Sequence, residues 1–211
     1  MSPGIPFVVA APSGTGKTTV CRILVERDPR LRFSVSHTTR SPRSDERDGE
    51  EYHFVSRERF AELVREEAFI EHAEYAGNWY GTSWSAIDGP LEQGLDLLLE
   101  IEVRGAAQIR ESRADARFVF LLPPSRAEAE RRLRARGQDD PAAIERRVEL
   151  MRRELPAVSD FDYVVVNDDL ERCVAALSEI VKAERAGTSD RARSMHGREA
   201  VRARLGGRFP A

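Results

Sequence analysis

The chain holds only two cysteines, Cys21 and Cys173, most of the sequence apart. They lack the paired spacing of a zinc knuckle or a redox motif and make no disulfide framework. The expectation is therefore a protein of a reducing compartment, the cytoplasm. Its four histidines, His37, His53, His72 and His196, show no metal-ligand spacing and read as packing or surface residues. No apolar run approaches the roughly 20 residues that would span a bilayer. The first apolar stretch has no basic flank, which argues against a secretory leader. There is no internal repeat and no low-complexity block. Excess charge is missing too: the formal net charge is −3, so nothing draws the whole chain to nucleic acid. The imbalance is local. Residues 186–211 carry six arginines against two acidic residues, with few apolar side chains. They are expected to form a flexible or weakly helical, solvated tail with no specific nucleic-acid partner.

What is present is a chain of 211 residues that suggests one domain, with 41% apolar content to build a core. Candidate strands at 5–11, 33–37, 96–102, 117–122 and 162–167 alternate with candidate helices at 17–27, 57–68, 84–94, 104–112, 125–136, 141–155 and 170–185. Runs such as Leu97-Leu98-Leu99, Phe118 to Leu122 and Val164-Val165-Val166 suit strands buried on both faces. The fold class is α/β, a parallel sheet flanked by helices. Two stretches break the alternation. Residues 36–83 are polar and aromatic and read as an insert that binds something. Residues 125–155 are Arg-rich and read as a helical flap. There Ser125 and Glu128 form a capping box, Gly137 ends a helix, and Asp140-Pro141 starts the next.

The strongest motif is Ala11-Pro12-Ser13-Gly14-Thr15-Gly16-Lys17-Thr18, set between the first strand and the first helix. A strand, a Gly-containing turn and a helix make a phosphate cradle, with backbone N–H groups and the positive helix end facing an anion. Lys17 can reach β- and γ-phosphates, and the Thr18 hydroxyl can ligate Mg²⁺. Ala11 stands where the pattern has its first glycine. A second constellation lies in the insert. Arg40 and Arg43 sit among hydroxyls in Ser36-His37-Thr38-Thr39-Arg40-Ser41-Pro42-Arg43, followed by Tyr52, by Glu71 and by Tyr80 and Thr82. Two guanidinium forks and two phenols suit a phosphate monoester dianion. A carboxylate such as Glu71 suits guanine, whose N1–H and N2–H₂ are adjacent donors. Adenine offers an acceptor and a donor instead.

With these residues in view the chain resembles the guanylate kinase family from about Pro6 to about Glu184. The phosphate loop, the 36–43 segment, Gly49-Glu50-Glu51-Tyr52, Phe69-Ile70-Glu71, Gly77 to Thr82, Leu121 to Ser125, Arg136-Gly137 and Val166-Asn167-Asp168-Asp169 fall in the family's order and spacing. The resemblance implies a P-loop NTPase core (5–35, 84–124 and 156–185), a GMP-binding insert (36–83) and a lid (125–155), together a kinase domain over 5–185 with the tail outside it. It implies ATP as phosphoryl donor, Mg²⁺, and GMP, with dGMP, as acceptor; the chain would be a monomer or homodimer. Loop residues 11–18 and Asn167 would hold ATP, with Lys17, Arg132, Arg136 and Arg147 acting on the transferred phosphoryl group. Arg40, Arg43, Tyr52 and Tyr80 would hold the GMP phosphate, and Ser36, Glu71, Thr82 and Glu102 would meet guanine. Thr18 would bind the metal directly and Glu100 through water. The family usually shows two Asp and a Gln where this chain has Glu100, Glu102 and Arg104. Other lid arginines, Arg126, Arg131, Arg134, Arg146, Arg152 and Arg153, read as a charged helical face. The rivals are a kinase for another monophosphate, disfavoured by Glu71 with Ser36, and a binding module without catalysis, disfavoured by an intact Lys17-Thr18. A third is a nucleic-acid role for the tail, whose removal would leave kinase activity unchanged.

Overall fold

The computed structural model describes residues 3–44, 46–75, 77–135 and 141–206. The chain runs β1 (Pro6–Ala10), α1 (Lys17–Arg27), β2 (Leu31–Phe33), β3 (Ser36–Thr38), β4 (Tyr52–Phe54) and α2 (Arg57–Arg65). It continues through β5 (Phe69–Tyr75), β6 (Asn78–Ser83), α3 (Ser85–Glu92), β7 (Asp96–Glu100), α4 (Val103–Ser112) and β8 (Arg117–Leu122). Last come α5 (Arg126–Ala135), α6 (Pro141–Glu154), a 3₁₀ turn (Leu155–Asp160), β9 (Tyr163–Val166), α7 (Leu170–Arg185), α8 (Ser189–His196) and α9 (Arg198–Leu205). Gly137 and Asp140, expected at the turn between the lid helices, lie outside the described residues, as does Arg136.

The main sheet is parallel, in the order β2-β7-β1-β8-β9. Apart from Asp96, Glu100 and Arg117 at strand ends, its central strands are continuously apolar because successive side chains enter opposite layers. Phe7 and Val9 pack with Leu98, Val119 and Leu121 under α1 and α7. Val8 and Ala10 pack with Leu97, Leu99, Phe118 and Phe120 beneath α3, α4 and α6. Each such buried Val, Leu or Phe side chain contributes about 1.5–3 kcal/mol. At the end of the sheet far from the loop, the buried Asp96 accepts from Ile5 N–H at 2.8 Å and pairs with Arg185 at 2.6 Å. Arg185 also reaches Asp28 at 3.0 Å, tying α7 to α1 and β7.

A second sheet, ordered β4-β3-β6-β5, occupies residues 36–83, with β3 and β4 parallel and the other pairs antiparallel. The expected strand 33–37 divides in two. Phe33 ends β2 against Leu98, Ser34 N–H still bonds the Leu98 carbonyl, and Ser36 begins β3 in the other sheet. The capping box is half formed. Ser125 Oγ accepts from Glu128 N–H at 3.1 Å, but the Glu128 carboxylate turns to Arg131 and Arg132.

Of the two expectations for the tail, flexible or helical, the fold shows the helical one, and it packs on the core instead of standing in solvent. Through Gly206 the segment is ordered as α8 and α9, and Ala192 and Val201 are fully buried. Gly197, between them, forms a bridge to Tyr163 on the edge strand β9. A Cβ at Gly197 would lie 2.3 Å from the Arg193 carbonyl oxygen, so the close pass needs glycine. Tyr163 donates to Glu184, which also holds Arg117 at 2.6 Å and faces Arg193 at 3.6 Å. A few apolar contacts and this polar knot suffice because they cover an otherwise open sheet edge. Removing residues 187–211 is therefore expected to lower the melting temperature by several degrees, measured by circular dichroism or calorimetry. In contrast to the expectation from sequence, activity at elevated temperature should fall with it. Asp96→Ala, which leaves the Ile5 N–H without its acceptor and Arg185 with Asp28 alone, should cost about 1–3 kcal/mol in denaturant titration.

Candidate active site

The loop from Ala11 to Thr18 closes over the C-terminal end of β1. Gly14 and Gly16 take φ of +84° and +89°, a left-handed backbone that favours glycine. At Gly14 a Cβ would also meet the Ala129 carbonyl oxygen at 2.6 Å. Ala11 is not among the residues with positive φ and is buried at the strand end, so the first glycine of the usual pattern is not needed there. Thr15 braces the turn by donating from Oγ1 to the Pro12 carbonyl at 2.7 Å. Gly16 is the N-cap of α1 and no side chain caps that helix, which leaves its first N–H groups facing the loop.

Parallel pairing of β1 with β7 brings Glu100 to the same edge as the loop. Thr18 Oγ1 donates to Glu100 Oε1 at 2.5 Å. Lys17 Nζ donates to the Ile101 carbonyl at 2.5 Å and lies 3.5 Å from Glu102 Oε1. Burial alone would lower the Lys17 pKa, but the Glu102 and Glu100 carboxylates outweigh it and hold the ammonium above its usual range. The longer side chains of Glu100 and Glu102 thus reach the loop directly. No group of His, Cys, Asp or Glu among the described residues makes a protein-only metal cage. The hard oxygens of Thr18 and Glu100, side by side, suit Mg²⁺, which keeps waters and substrate oxygens as its remaining ligands.

The second sheet aligns a polar chain. Ser36 Oγ lies 2.9 Å from Thr82 Oγ1, and Thr82 Oγ1 donates to Glu71 Oε1 at 2.7 Å. The register slips between Phe69 and Glu71. That bulge sends Ile70 into the core and leaves Glu71 opposite Thr82. Burial pushes the Glu71 carboxyl up to about 7 against the opposing Thr82 hydrogen bonds. Tyr52 and Tyr80 meet edge to face, their centroids 5.9 Å apart. Burial first, then Glu100 and Tyr80, push the Tyr52 phenol up to about 12. Tyr52 and Glu71 thus feel Lys17 and its carboxylates across the cleft between the two sheets.

Two residues that the sequence did not single out complete the picture. Glu46 is nearly buried and accepts from Arg40 Nη2 at 2.7 and 2.9 Å. It also accepts from Arg43 N–H at 2.8 Å, with the Arg43 guanidinium at 3.9 Å. The Arg40 hydrogen bond holds the Glu46 carboxyl below its usual range. Arg40 lies 5.6 Å from the Tyr52 ring centroid, while Arg43 stays open to solvent. Glu154, at the end of α6, is pushed up to about 7, by burial and then by Glu102. Both acids sit in charged stretches that look solvated in sequence, and only the fold turns them inward.

On the lid side, Arg147 Nε donates to Ser13 Oγ at 3.0 Å. Arg132 bonds Glu128 at 2.8 Å and the Thr15 and Asn167 carbonyls at 3.2 and 3.3 Å. Asn167 Nδ2 donates to the Thr15 carbonyl at 2.7 Å. In this structure Arg132 and Asn167 brace the loop from behind. Among the remaining lid arginines, Arg131, Arg134, Arg152 and Arg153 form ion pairs along their own helices.

Comparison with known proteins accounts for this arrangement. A family model described as guanylate kinase matches residues 4–184. A guanylate kinase of Alkalilimnicola ehrlichii is 50% identical over 183 residues, 87% of this chain and 90% of its own length. One of Thiobacillus denitrificans is 44% identical over 184 residues, 87% of this chain and 88% of its own. The crystal structure of guanylate kinase from Anaplasma phagocytophilum superimposes with a TM-score of 0.72 at 33% identity, covering 100% of this chain and 97% of that one. With its phosphate loop, its parallel sheet and the residues that face them, the chain belongs to the guanylate kinase family.

Proposed function

We propose that this protein transfers the terminal phosphoryl group of ATP to GMP, giving ADP and GDP, in cytoplasmic purine nucleotide turnover. The observation that supports this best is the Ser36–Thr82–Glu71 chain facing the loop lysine across one cleft. A buried carboxylate has about four lone-pair sites, so beside its Thr82 hydrogen bonds it can accept two adjacent donors of guanine. An adenine there would leave the carboxylate without its partners, which polar sites penalise heavily.

In this reading residues 36–83 are the GMP-binding insert and residues 125–155 the lid. Arg40 and Arg43, preset by Glu46, grip the GMP phosphate together with Tyr52 and Tyr80, and Glu102 borders the acceptor base. The loop N–H groups and Lys17 hold the donor phosphates, and Asn167 borders adenine. Thr18, and Glu100 through water, would hold Mg²⁺, which when bound neutralises charge on the phosphate oxygens. Arg132, Arg136 and Arg147 supply positive charge around the transferred group. An oxygen of the GMP phosphate bonds to the γ-phosphorus as the bond to the ADP oxygen breaks, so no enzyme nucleophile is required. Positioning and electrostatics carry the rate, and closure of insert and lid would keep water from the same phosphorus.

A coupled assay of ATP consumption across GMP, dGMP, AMP, CMP, UMP and dTMP should show turnover with the two guanine nucleotides and little with the rest. Absence of GMP-dependent turnover overturns the reading. Lys17→Ala should cut kcat by roughly 10³-fold while circular dichroism is unchanged. Because the Glu71 carboxyl sits near 7 rather than 4.5, it gains a proton, and loses its double-acceptor form, as pH falls through about 7. The KM for GMP should rise over that window. Glu71→Gln should remove the part of the rise that the ligand phosphate's own ionisation near pH 6 does not explain.

A further inference from the structure

The guanine-reading strand does not stand alone at its edge. β5 is the outer strand of the second sheet, and helix α4 of the main core lies along it. Gln108, on α4, closes two hydrogen bonds on the His72 peptide unit. Its Oε1 accepts from His72 N–H at 3.1 Å and its Nε2 donates to the His72 carbonyl at 3.0 Å. One side-chain amide thus does what a neighbouring strand would do, at the residue next to Glu71.

One turn earlier on the same helix is Gly105, buried against the carboxylate itself. A Cβ at this position would lie 2.5 Å from Glu71 Oε2 and 3.1 Å from its carboxyl carbon. Glycine is among the poorest helix formers, and no positive φ requires it here. Its presence in the first turn of α4 therefore needs a reason from packing, and the facing carboxylate provides one. Glu71 cannot yield cheaply to a methyl group, because Thr82 holds its other oxygen at 2.7 Å and the residue is only 5% exposed.

We infer that Gly105 and Gln108 are positioning residues that make α4 the rear wall of the guanine site: Gln108 fixes the height of β5, and Gly105 leaves the space in which the Glu71 carboxylate stands. The inference rests on the reading of Glu71 as the base acceptor. It explains how selectivity for the base can be set from the donor-side core, since Glu102, the N-cap residue of α4, lies 3.5 Å from Lys17. The base contact and the phosphate loop are then referenced to one rigid helix.

The test is steady-state kinetics on the full chain, with ATP as donor and GMP or IMP as acceptor. IMP keeps N1–H but lacks the 2-amino group, so the GMP-to-IMP ratio of kcat/KM reads the second carboxylate contact. Gly105→Ala should lower kcat/KM for GMP by about 10–100-fold and shrink that ratio, with the KM for ATP within about twofold of the parent. Gln108→Ala should act in the same direction, about 5–10-fold on the KM for GMP. Placing Glu71→Asp in the Gly105→Ala background should restore part of the ratio, because the shorter acid withdraws from the added methyl group. The proposal is overturned if Gly105→Ala and Gln108→Ala leave the GMP KM and the ratio at parent values, or raise the ATP and GMP KM values together. Glu71→Gln, run alongside, separates the two levels. An unchanged ratio in that variant overturns the base-reading role on which the proposal stands. A lost ratio in Glu71→Gln with none lost in Gly105→Ala overturns only the role of α4.

Discussion

The site depends on one buried cation. Lys17 brings an ammonium group into the end of the sheet, and the fold has to keep it charged there. Burial of a lone ammonium is costly, and its neutral form would be useless for holding phosphates. The answer lies in strand order. Because β1 and β7 pair in parallel, the loop after β1 and the acids at the end of β7 emerge side by side, and Ile101, Glu102 and Glu100 surround the lysine. Ligands of open parallel sheets collect at this end of the strands for the same geometric reason. Groups from the other elements are placed with respect to that charge. Tyr52 and Glu71 from the second sheet feel it, and Arg132 and Asn167 keep the backbone of its loop in place.

The second layer of organisation is the handling of surplus charge. The cleft gathers arginines suited to a phosphate and an acid suited to a base, and the fold supplies each with a partner of its own. Glu46 occupies the arginines, and burial raises the Glu71 carboxyl to about 7 while Thr82 hydrogen-bonds its ionised form. Neither group is left as an isolated ion in a low-dielectric site, which would cost several kcal/mol. Ligands can then exchange partners with groups already in place.

The parts that could be read from the sequence are those governed by local rules. The glycines of the loop are set by backbone conformation, and α1 spans Lys17–Arg27, where the apolar spacing puts it. The runs at 97–99, 118–122 and 164–166 are continuous because both faces of those strands are covered. The second sheet was obscure because its short strands are half-buried, so neither alternation nor a continuous run marks them. Glu46 was hidden because nothing in a stretch such as Arg43 to Glu51 says which acid turns inward. The tail misled for a different reason. Its apolar content is low, yet Ala192 and Val201 fall where each closes one face of the core, and a single glycine bridge sets their spacing.

That tail has a consequence for the order in which the protein is made. Synthesis is vectorial, and domains emerge from the ribosome N-terminal end first. β9 can join β8 once residue 166 is out, but its outer edge is closed only when Gly197 arrives, and the layer above it only when Val201 does. Until residues 197–201 are translated, the nascent chain carries a nearly complete nucleotide site on a sheet with one raw edge. A product truncated before Gly197 would expose the strand edge that a quality-control factor or another nascent chain would meet first.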